Sequence, residues 1–274
     1  MASLTAGGGG GGPPPPSGGG NDAESIRVLV RVRPMNASER GADGPDADSV
    51  VDVQTTQELS VTNADGTRAF QCAFDAVLGP TSTQQDAYRT VQGCTASVLN
   101  GVNATIFAYG QTGSGKTYSM YGPPSETGSR TALQRVDASA AGVIPRAIAE
   151  VFEMAHDPRV LSFSVYCSFV QIYNEQLFDM LRDASMASPL AVREDQSEIY
   201  VQGLSEYNVH SVDDTMALLA VAENNRAIRE THMNLFSSRS HSIFQLFVEQ
   251  KRMAADGGEV QLKAKYNLVD LAGR

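Results

Sequence analysis

Residues 110–117 have the types and spacing of a site that binds phosphate. They read Gly-Gln-Thr-Gly-Ser-Gly-Lys-Thr and fit the pattern GxxxxGK[ST]. Glycines at this spacing let backbone N–H groups curve around a polyphosphate, and a helix that begins after them adds its positive end. In this pattern Lys116 reaches the β- and γ-phosphates, and the Thr117 hydroxyl ligates Mg²⁺. The sequence therefore predicts a site for a nucleotide and Mg²⁺.

Two later segments supply what a nucleotide hydrolase also needs: a γ-phosphate sensor that can order or release, and an acidic residue near the metal. Residues 234–241 read Asn-Leu-Phe-Ser-Ser-Arg-Ser-His, a hydroxyl-rich loop. Residues 266–270 are an apolar strand that ends in Asp270, followed by Leu-Ala-Gly. Alone, the hydroxyl-rich segment is typical of a surface loop, and a strand that ends in aspartate is common in proteins of many kinds. In this order after the phosphate loop, the three segments indicate nucleotide hydrolysis.

Alternating strands and helices must position these segments. Strands are predicted at 26–33, 104–109, 163–173, 243–248 and 266–269, with weaker signals near 50–53 and 58–61. Helices are predicted at 84–99, near Pro145, and from a capping box at 211–214 to about 228. This order predicts an α/β fold with a mostly parallel central sheet and helices on both of its faces.

The N-terminal residues have a different composition from the rest of the chain. Residues 1–24 are rich in glycine and proline, so we expect a disordered tail, followed by one folded domain at 25–274. The net charge is −10 with only four lysines, which disfavours nucleic acid as a partner. The sequence has no apolar run long enough to span a membrane and no secretory signal, so a cytoplasmic location without membrane insertion is expected.

The same segments resemble the kinesin motor domain family. Residues 105–117 are similar to the kinesin phosphate loop, 234–241 to its first switch NxxSSRSH, and 270–273 to the start of its second switch, DLAGxE. Residues 31–34, Arg-Val-Arg-Pro, match the family's RxRP, and residues 142–146 and 171–177 also read as kinesin. The resemblance covers about residues 26–273 and implies a P-loop NTPase core of the kinesin type.

The resemblance also implies roles for individual residues. Arg31 and Pro34 would border the adenine, with Tyr118 on its other side. The phosphates would be held by Gly110, Gln111, Thr112, Gly113, Ser114, Gly115, Lys116 and Thr117. Asn234 and Ser237 would place the γ-phosphate and the attacking water, whereas Thr117, Ser238 and Asp270 would serve Mg²⁺. The N–H of Gly273 would sense the γ-phosphate, and Arg239 would pair with a glutamate of the second switch.

The implied function is that of a microtubule-dependent ATPase motor with ATP or ADP and Mg²⁺ as ligands, microtubules as partner and the cytoskeleton as location. The sequence ends at Gly273-Arg274, where the family continues Ser-Glu. We therefore expect a partial motor domain in which hydrolysis and microtubule binding are impaired. One alternative is a non-catalytic nucleotide-binding or regulatory fragment. A second, an unrelated enzyme such as a small-molecule kinase, is disfavoured by residues 234–241. The sequence does not indicate subfamily, direction of travel, cargo or oligomeric state.

Overall fold

The structure is a computed structural model, and it describes residues 2–8, 26–36, 39–40, 49–63, 66, 69–123, 139–183, 188–195, 199–232 and 239–273. The strands are β1 (Ala2–Gly8), β2 (Arg27–Arg31), β3 (Val51–Val53), β4 (Glu58–Thr62), β5 (Ala69–Ala73), β6 (Ala76–Leu78), β7 (Ala104–Tyr109), β8 (Val160–Tyr173), β9 (Gln176–Asp179), β10 (Ala191–Glu194), β11 (Ile199–Gln202), β12 (Tyr207–Val209), β13 (His241–Met253) and β14 (Glu259–Asp270). The helices are α1 (Gln84–Leu99), α2 (Lys116–Tyr121), α3 (Val143–Glu153) and α4 (Val212–His232).

A nine-stranded sheet forms the centre of the molecule, in the order β12-β8-β13-β14-β7-β1-β2-β6, with β9 paired to β8. The α/β class is confirmed, but the sheet is mixed rather than mostly parallel. Among the described strands of this sheet, β7–β14 and β2–β6 pair in parallel, and the other pairs are antiparallel. A tight turn joins β13 to β14, with Gly257 at a φ of 84°, so this pair forms a hairpin without a crossover helix.

The described helices pack as one layer, since α3 contacts α1, α2 and α4. The alternation of burial along β7 agrees with this arrangement. Ala104, Ile106 and Ala108 are buried toward the helices, whereas Phe107 and Tyr109 are 39% and 44% exposed. Among the described residues, helices therefore cover one face of the sheet, which corrects the expectation of helices on both. None of these helices has the length and apolar character needed to cross a membrane.

Local signals explain where the helices begin. Helix α1 has the predicted bounds, because Thr83 caps it and forms a reciprocal capping box with Asp86. Helix α4 begins as predicted, with the Ser211 hydroxyl accepting the N–H of Asp214 at 3.0 Å, and it continues to His232. The main core lies between these helices and the sheet. A smaller core lies beneath the three-stranded sheet β3-β4-β5.

The structure differs from the predicted disordered tail at Ala2–Gly8, which form strand β1. This strand lies between β2 and β7 and runs antiparallel to both, with Leu4 opposite Leu29 on one side and Ala108 on the other. The two ladders use backbone groups, which every residue of the segment carries, so a composition poor in strand-forming side chains does not preclude pairing. The rest of the predicted tail, residues 9–24, lies outside the described residues.

We predict that Thr5→Pro destabilises the domain. Thr5 lies opposite Val28 and Phe107, so proline removes an N–H between two strands and leaves a ladder carbonyl unpaired. The expected loss is about 2 kcal/mol in the free energy of unfolding. Urea denaturation measures it, and Thr5→Val, which keeps the N–H, is the control. Equal unfolding midpoints for the two variants would show that Ala2–Gly8 does not pair with the sheet.

Candidate nucleotide-binding site

The parallel pairing of β7 with β14 brings the candidate residues to one edge of the sheet. Asp270, the last residue of β14, lies opposite Ala108 of β7, and the N–H of Leu271 donates to the Ala108 carbonyl at 3.2 Å. The phosphate loop begins directly after Tyr109, the last residue of β7. Residues 110–117 and 270–273 therefore meet, although about 150 residues separate them in the sequence.

The backbone of the phosphate loop explains its glycines. Gly113 and Gly115 have φ angles of 78° and 95°, in the left-handed region that favours glycine. Gly115 directly precedes helix α2, and the N–H of Ser114 donates to the Gln111 carbonyl at 3.1 Å, which closes a turn within the loop. The residue spacing noted in the sequence thus corresponds to a compact loop between β7 and α2.

Lys116 folds back over this loop. Its ammonium donates to the carbonyls of Gly110 and Gln111 at 3.0 and 3.1 Å. Burial lowers the pKa of Lys116, and the negative charge of Asp270 partly opposes this shift. The charged group is therefore held beside the loop's backbone, next to the space in which an anion would be bound.

Thr117 and Asp270 form the polar centre of the site. The Thr117 hydroxyl donates to Asp270 Oδ2 at 2.6 Å, and the carboxylate is buried. Both line a cavity of about 250 Å³. A hydroxyl beside a carboxylate fits Mg²⁺, which takes few protein oxygens and completes its shell with water and phosphate. These residues could therefore hold the metal together with a nucleotide.

Gly273 lies against Thr112 of the phosphate loop. A Cβ at this position would lie 2.3 Å from Thr112 Oγ1 and 2.9 Å from Thr112 N. These distances are too short for any side chain, so the approach of residues 271–273 to the loop requires glycine.

A larger cavity of about 460 Å³ adjoins the first one, and Gly115 and Tyr118 line both. Arg31, Pro34 and Tyr118, which were predicted to border a base, all line this cavity, and its lining consists mainly of apolar atoms. The full lining is Arg31, Val32, Arg33, Pro34, Pro80, Ser82, Ser114, Gly115, Tyr118 and Ser119. An apolar cleft beside a phosphate-binding loop is suited to a planar base. Pro80 and Ser82, which come from the loop before α1, also line this cavity and were not predicted from the sequence.

Arg31 is built into the wall of this cavity. Its guanidinium donates to Gln84 Oε1 at 2.8 Å and to Ser119 Oγ at 3.1 Å, and it lies 5.5 Å from the centre of the Tyr118 ring. Gln84 in turn donates to the Tyr118 carbonyl at 2.7 Å. Burial lowers the pKa of Arg31. Gln84 was not predicted as a site residue, although a polar amide at a buried position of α1 is a signal that could have identified it.

Of the first-switch residues, Asn234, Ser237 and Ser238 lie outside the described residues. Arg239 is exposed and lies just before β13. His241, which was not assigned a role, connects the two switch segments, because its Nδ1 accepts the N–H of Ala272 at 3.1 Å. The loop that precedes β13 therefore ends beside the residues that follow β14.

Comparisons with known proteins agree on one family. The kinesin motor domain model matches residues 31–274. Kinesin-like protein KIN-5A of Arabidopsis thaliana is 38% identical over 262 residues, and kinesin-like protein KIF11 of Mus musculus is 39% identical over 259 residues. Each alignment covers 91% of this chain and 24% of the relative, so the chain spans about a quarter of their length.

A solved structure described as a fast kinesin superposes with a TM-score of 0.75 at 32% identity. The superposition covers 89% of this chain and 64% of the other. Because the family model matches most of the chain, the chain belongs to the kinesin motor domain family.

Proposed function

We propose that this chain binds ATP and ADP with Mg²⁺ and acts as the nucleotide-hydrolysing core of a microtubule motor. The observation that supports this most directly is the Thr117–Asp270 pair at 2.6 Å, next to the glycine loop and a mainly apolar cavity. The similar proteins are kinesin-like proteins, and the similar structure is described in terms of its ATPase mechanism and interactions with microtubules, which supports the motor assignment.

In the proposed mechanism the residues of the loop bind and orient the phosphates. Lys116 exchanges its carbonyl acceptors for phosphate oxygens, which places its positive charge where negative charge develops. Thr117 and Asp270 would hold Mg²⁺ with their side-chain oxygens. Mg²⁺, when bound, would neutralise phosphate charge and polarise the bond to be broken. Arg31, Pro34 and Tyr118 would hold the base and so fix the orientation of the whole nucleotide.

The two switch segments would read the γ-phosphate. Asn234 and Ser237 are proposed to position this phosphate and the attacking water, with Ser238 near the metal and Arg239 available to close the site. The N–H of Gly273 would bind the γ-phosphate from the opposite side. Because His241 accepts the N–H of Ala272, loss of the γ-phosphate would affect both segments together.

Lys116→Ala is expected to weaken binding of a fluorescent ADP analogue with Mg²⁺ by about a hundredfold, since about two charge-assisted hydrogen bonds to phosphate are lost. Lys263→Ala is the matched control, because Lys263 forms an exposed ion pair with Glu249 on the β13–β14 hairpin. Fluorescence titration of the full chain measures the dissociation constants. Equal affinity in the wild type and Lys116→Ala would exclude the phosphate loop as the binding site.

Steady-state ATPase assays with and without microtubules test the motor assignment. A motor core is expected to hydrolyse ATP faster with microtubules, and Lys116→Ala is expected to abolish this increase. Tight nucleotide binding by the wild type without hydrolysis, at any microtubule concentration, would instead favour the non-catalytic nucleotide-binding alternative.

Gly273→Ala tests the proposed γ-phosphate sensor. The added methyl would overlap Thr112, so the second switch must move away from the loop. The expected result is a fall in the ATPase rate of about tenfold, corresponding to about 1.4 kcal/mol, with ADP affinity unchanged within about twofold. Gly93→Ala in α1 is the control, because its methyl would meet open space. An ATPase rate like that of the control would contradict the role of Gly273.

A further inference from the structure

Arg33 lies between the larger cavity and the phosphate loop, and it contacts both. Its side chain lines the larger cavity, and its Nε donates to the carbonyl of Gly113 at 2.8 Å. A second contact holds the same peptide group, because the N–H of Ser114 donates to Gln111. The carbonyl and N–H of a trans peptide point in opposite directions, so the Gly113–Ser114 peptide is fixed from both sides.

Glu39 holds Arg33 in position. The guanidinium donates to both carboxylate oxygens, with NH1 at 2.6 Å from Oε2 and NH2 at 2.5 Å from Oε1. Glu39 is itself fixed by Asn36, because each residue's N–H donates to the other's side-chain oxygen, at 2.9 and 3.0 Å. The carboxylate therefore has a defined orientation, although 38% of its side chain is exposed.

We propose that Arg33, held by Glu39, is a positioning residue that fixes the apex of the phosphate loop and so sets the preference of this site for nucleotides with a β-phosphate. The inference deepens the proposed nucleotide binding and rests on it. The occupant of the loop apex would be the β-phosphate, which AMP lacks and ADP carries. Loosening the Gly113–Ser114 peptide should therefore weaken ADP binding much more than AMP binding.

Arginine is required here because of the number and direction of its donors. Nε reaches Gly113, NH1 reaches Glu39 and the Pro34 carbonyl, and NH2 reaches Glu39. A lysine ammonium keeps the charge, but its donors all sit on one nitrogen. It therefore cannot donate to both carboxylate oxygens of Glu39 and also reach the Gly113 carbonyl. The hydrogen bond from Arg33 is the main cause that lowers the pKa of Glu39 to about 2, so the carboxylate is ionised at neutral pH.

Calorimetric titration with Mg-ADP and with AMP tests the proposal on the full chain. Arg33→Lys is expected to weaken ADP binding about tenfold and AMP binding less than twofold, with an unchanged melting temperature. Glu39→Gln should weaken ADP binding about threefold, because glutamine keeps only one of the two oxygens that accept hydrogen bonds from the Arg33 guanidinium. The double variant should bind like Arg33→Lys alone, since both changes act through the same contact with Gly113. Arg159→Lys is the matched control, because Arg159 forms a comparable fork with Asp157 outside the site.

The outcomes separate this proposal from the one on which it rests. A wild type that binds ADP no better than Lys116→Ala overturns both. If the wild type binds ADP in a Lys116-dependent way but both variants keep its ratio of ADP to AMP affinity, the positioning role alone is overturned. Equal losses for ADP and AMP indicate a general structural role and also overturn it. Should Arg33→Lys fail to fold, the affinity ratio of Glu39→Gln decides.

Discussion

The parallel register between β7 and β14 is the constraint on which the site depends. It sets Asp270 opposite Ala108, so the carboxylate lies beside the loop that leaves β7 two residues later. Thr117, at the start of α2, can then reach Asp270 at 2.6 Å. A slip of one residue would move Asp270 by about 3.3 Å and turn its side chain to the other face of the sheet. The hydrophobic pattern of β7, with Ile106 and Ala108 buried beneath the helices, opposes such a slip.

A buried polar network holds the wall of the larger cavity, which the proposal assigns to the base. Arg31 on β2, Gln84 on α1 and Ser119 on α2 are joined by hydrogen bonds, so three elements that meet at the cavity are held in one arrangement. Burying a guanidinium is costly unless its donors are satisfied, which explains the acceptors around Arg31. Arg33, two residues later, bonds instead to the phosphate loop. The two arginines of the Arg-Val-Arg-Pro segment thus act on different parts of the site, one on the wall of the cavity and one on the loop.

The sequence predicted those features that depend on neighbouring residues. The bounds of α1 followed from Thr83, Asp86 and a helical pattern, and the glycines of the phosphate loop indicated its backbone. Strand direction depends instead on which strands meet, so the mixed sheet was missed. Strand β1 was missed because its pairing uses backbone groups within a segment whose composition indicates disorder. The contacts of Gln84 and of His241 join residues 34 and 31 positions apart, which no local pattern reveals. The roles of all the predicted site residues stay predictions, and Asn234, Ser237 and Ser238 also lie outside the described residues.

A continuous set of contacts links the phosphate loop to His241, the last residue of the segment 234–241. Thr112 lies against Gly273, the adjacent Ala272 donates to His241, and His241 begins the strand that follows the hydroxyl-rich loop. A ligand can shift such a set only if it binds one arrangement more tightly than another. ATP and ADP differ by the γ-phosphate alone, so under the proposed function any discrimination between them would arise where that phosphate would meet the chain. Gly273 has no side chain, and the space that a Cβ would take is filled by Thr112. Under the proposed function, a γ-phosphate that displaced Gly273 from Thr112 would act on residues 270–273, and the bond from Ala272 to His241 would carry that change to the residues before β13.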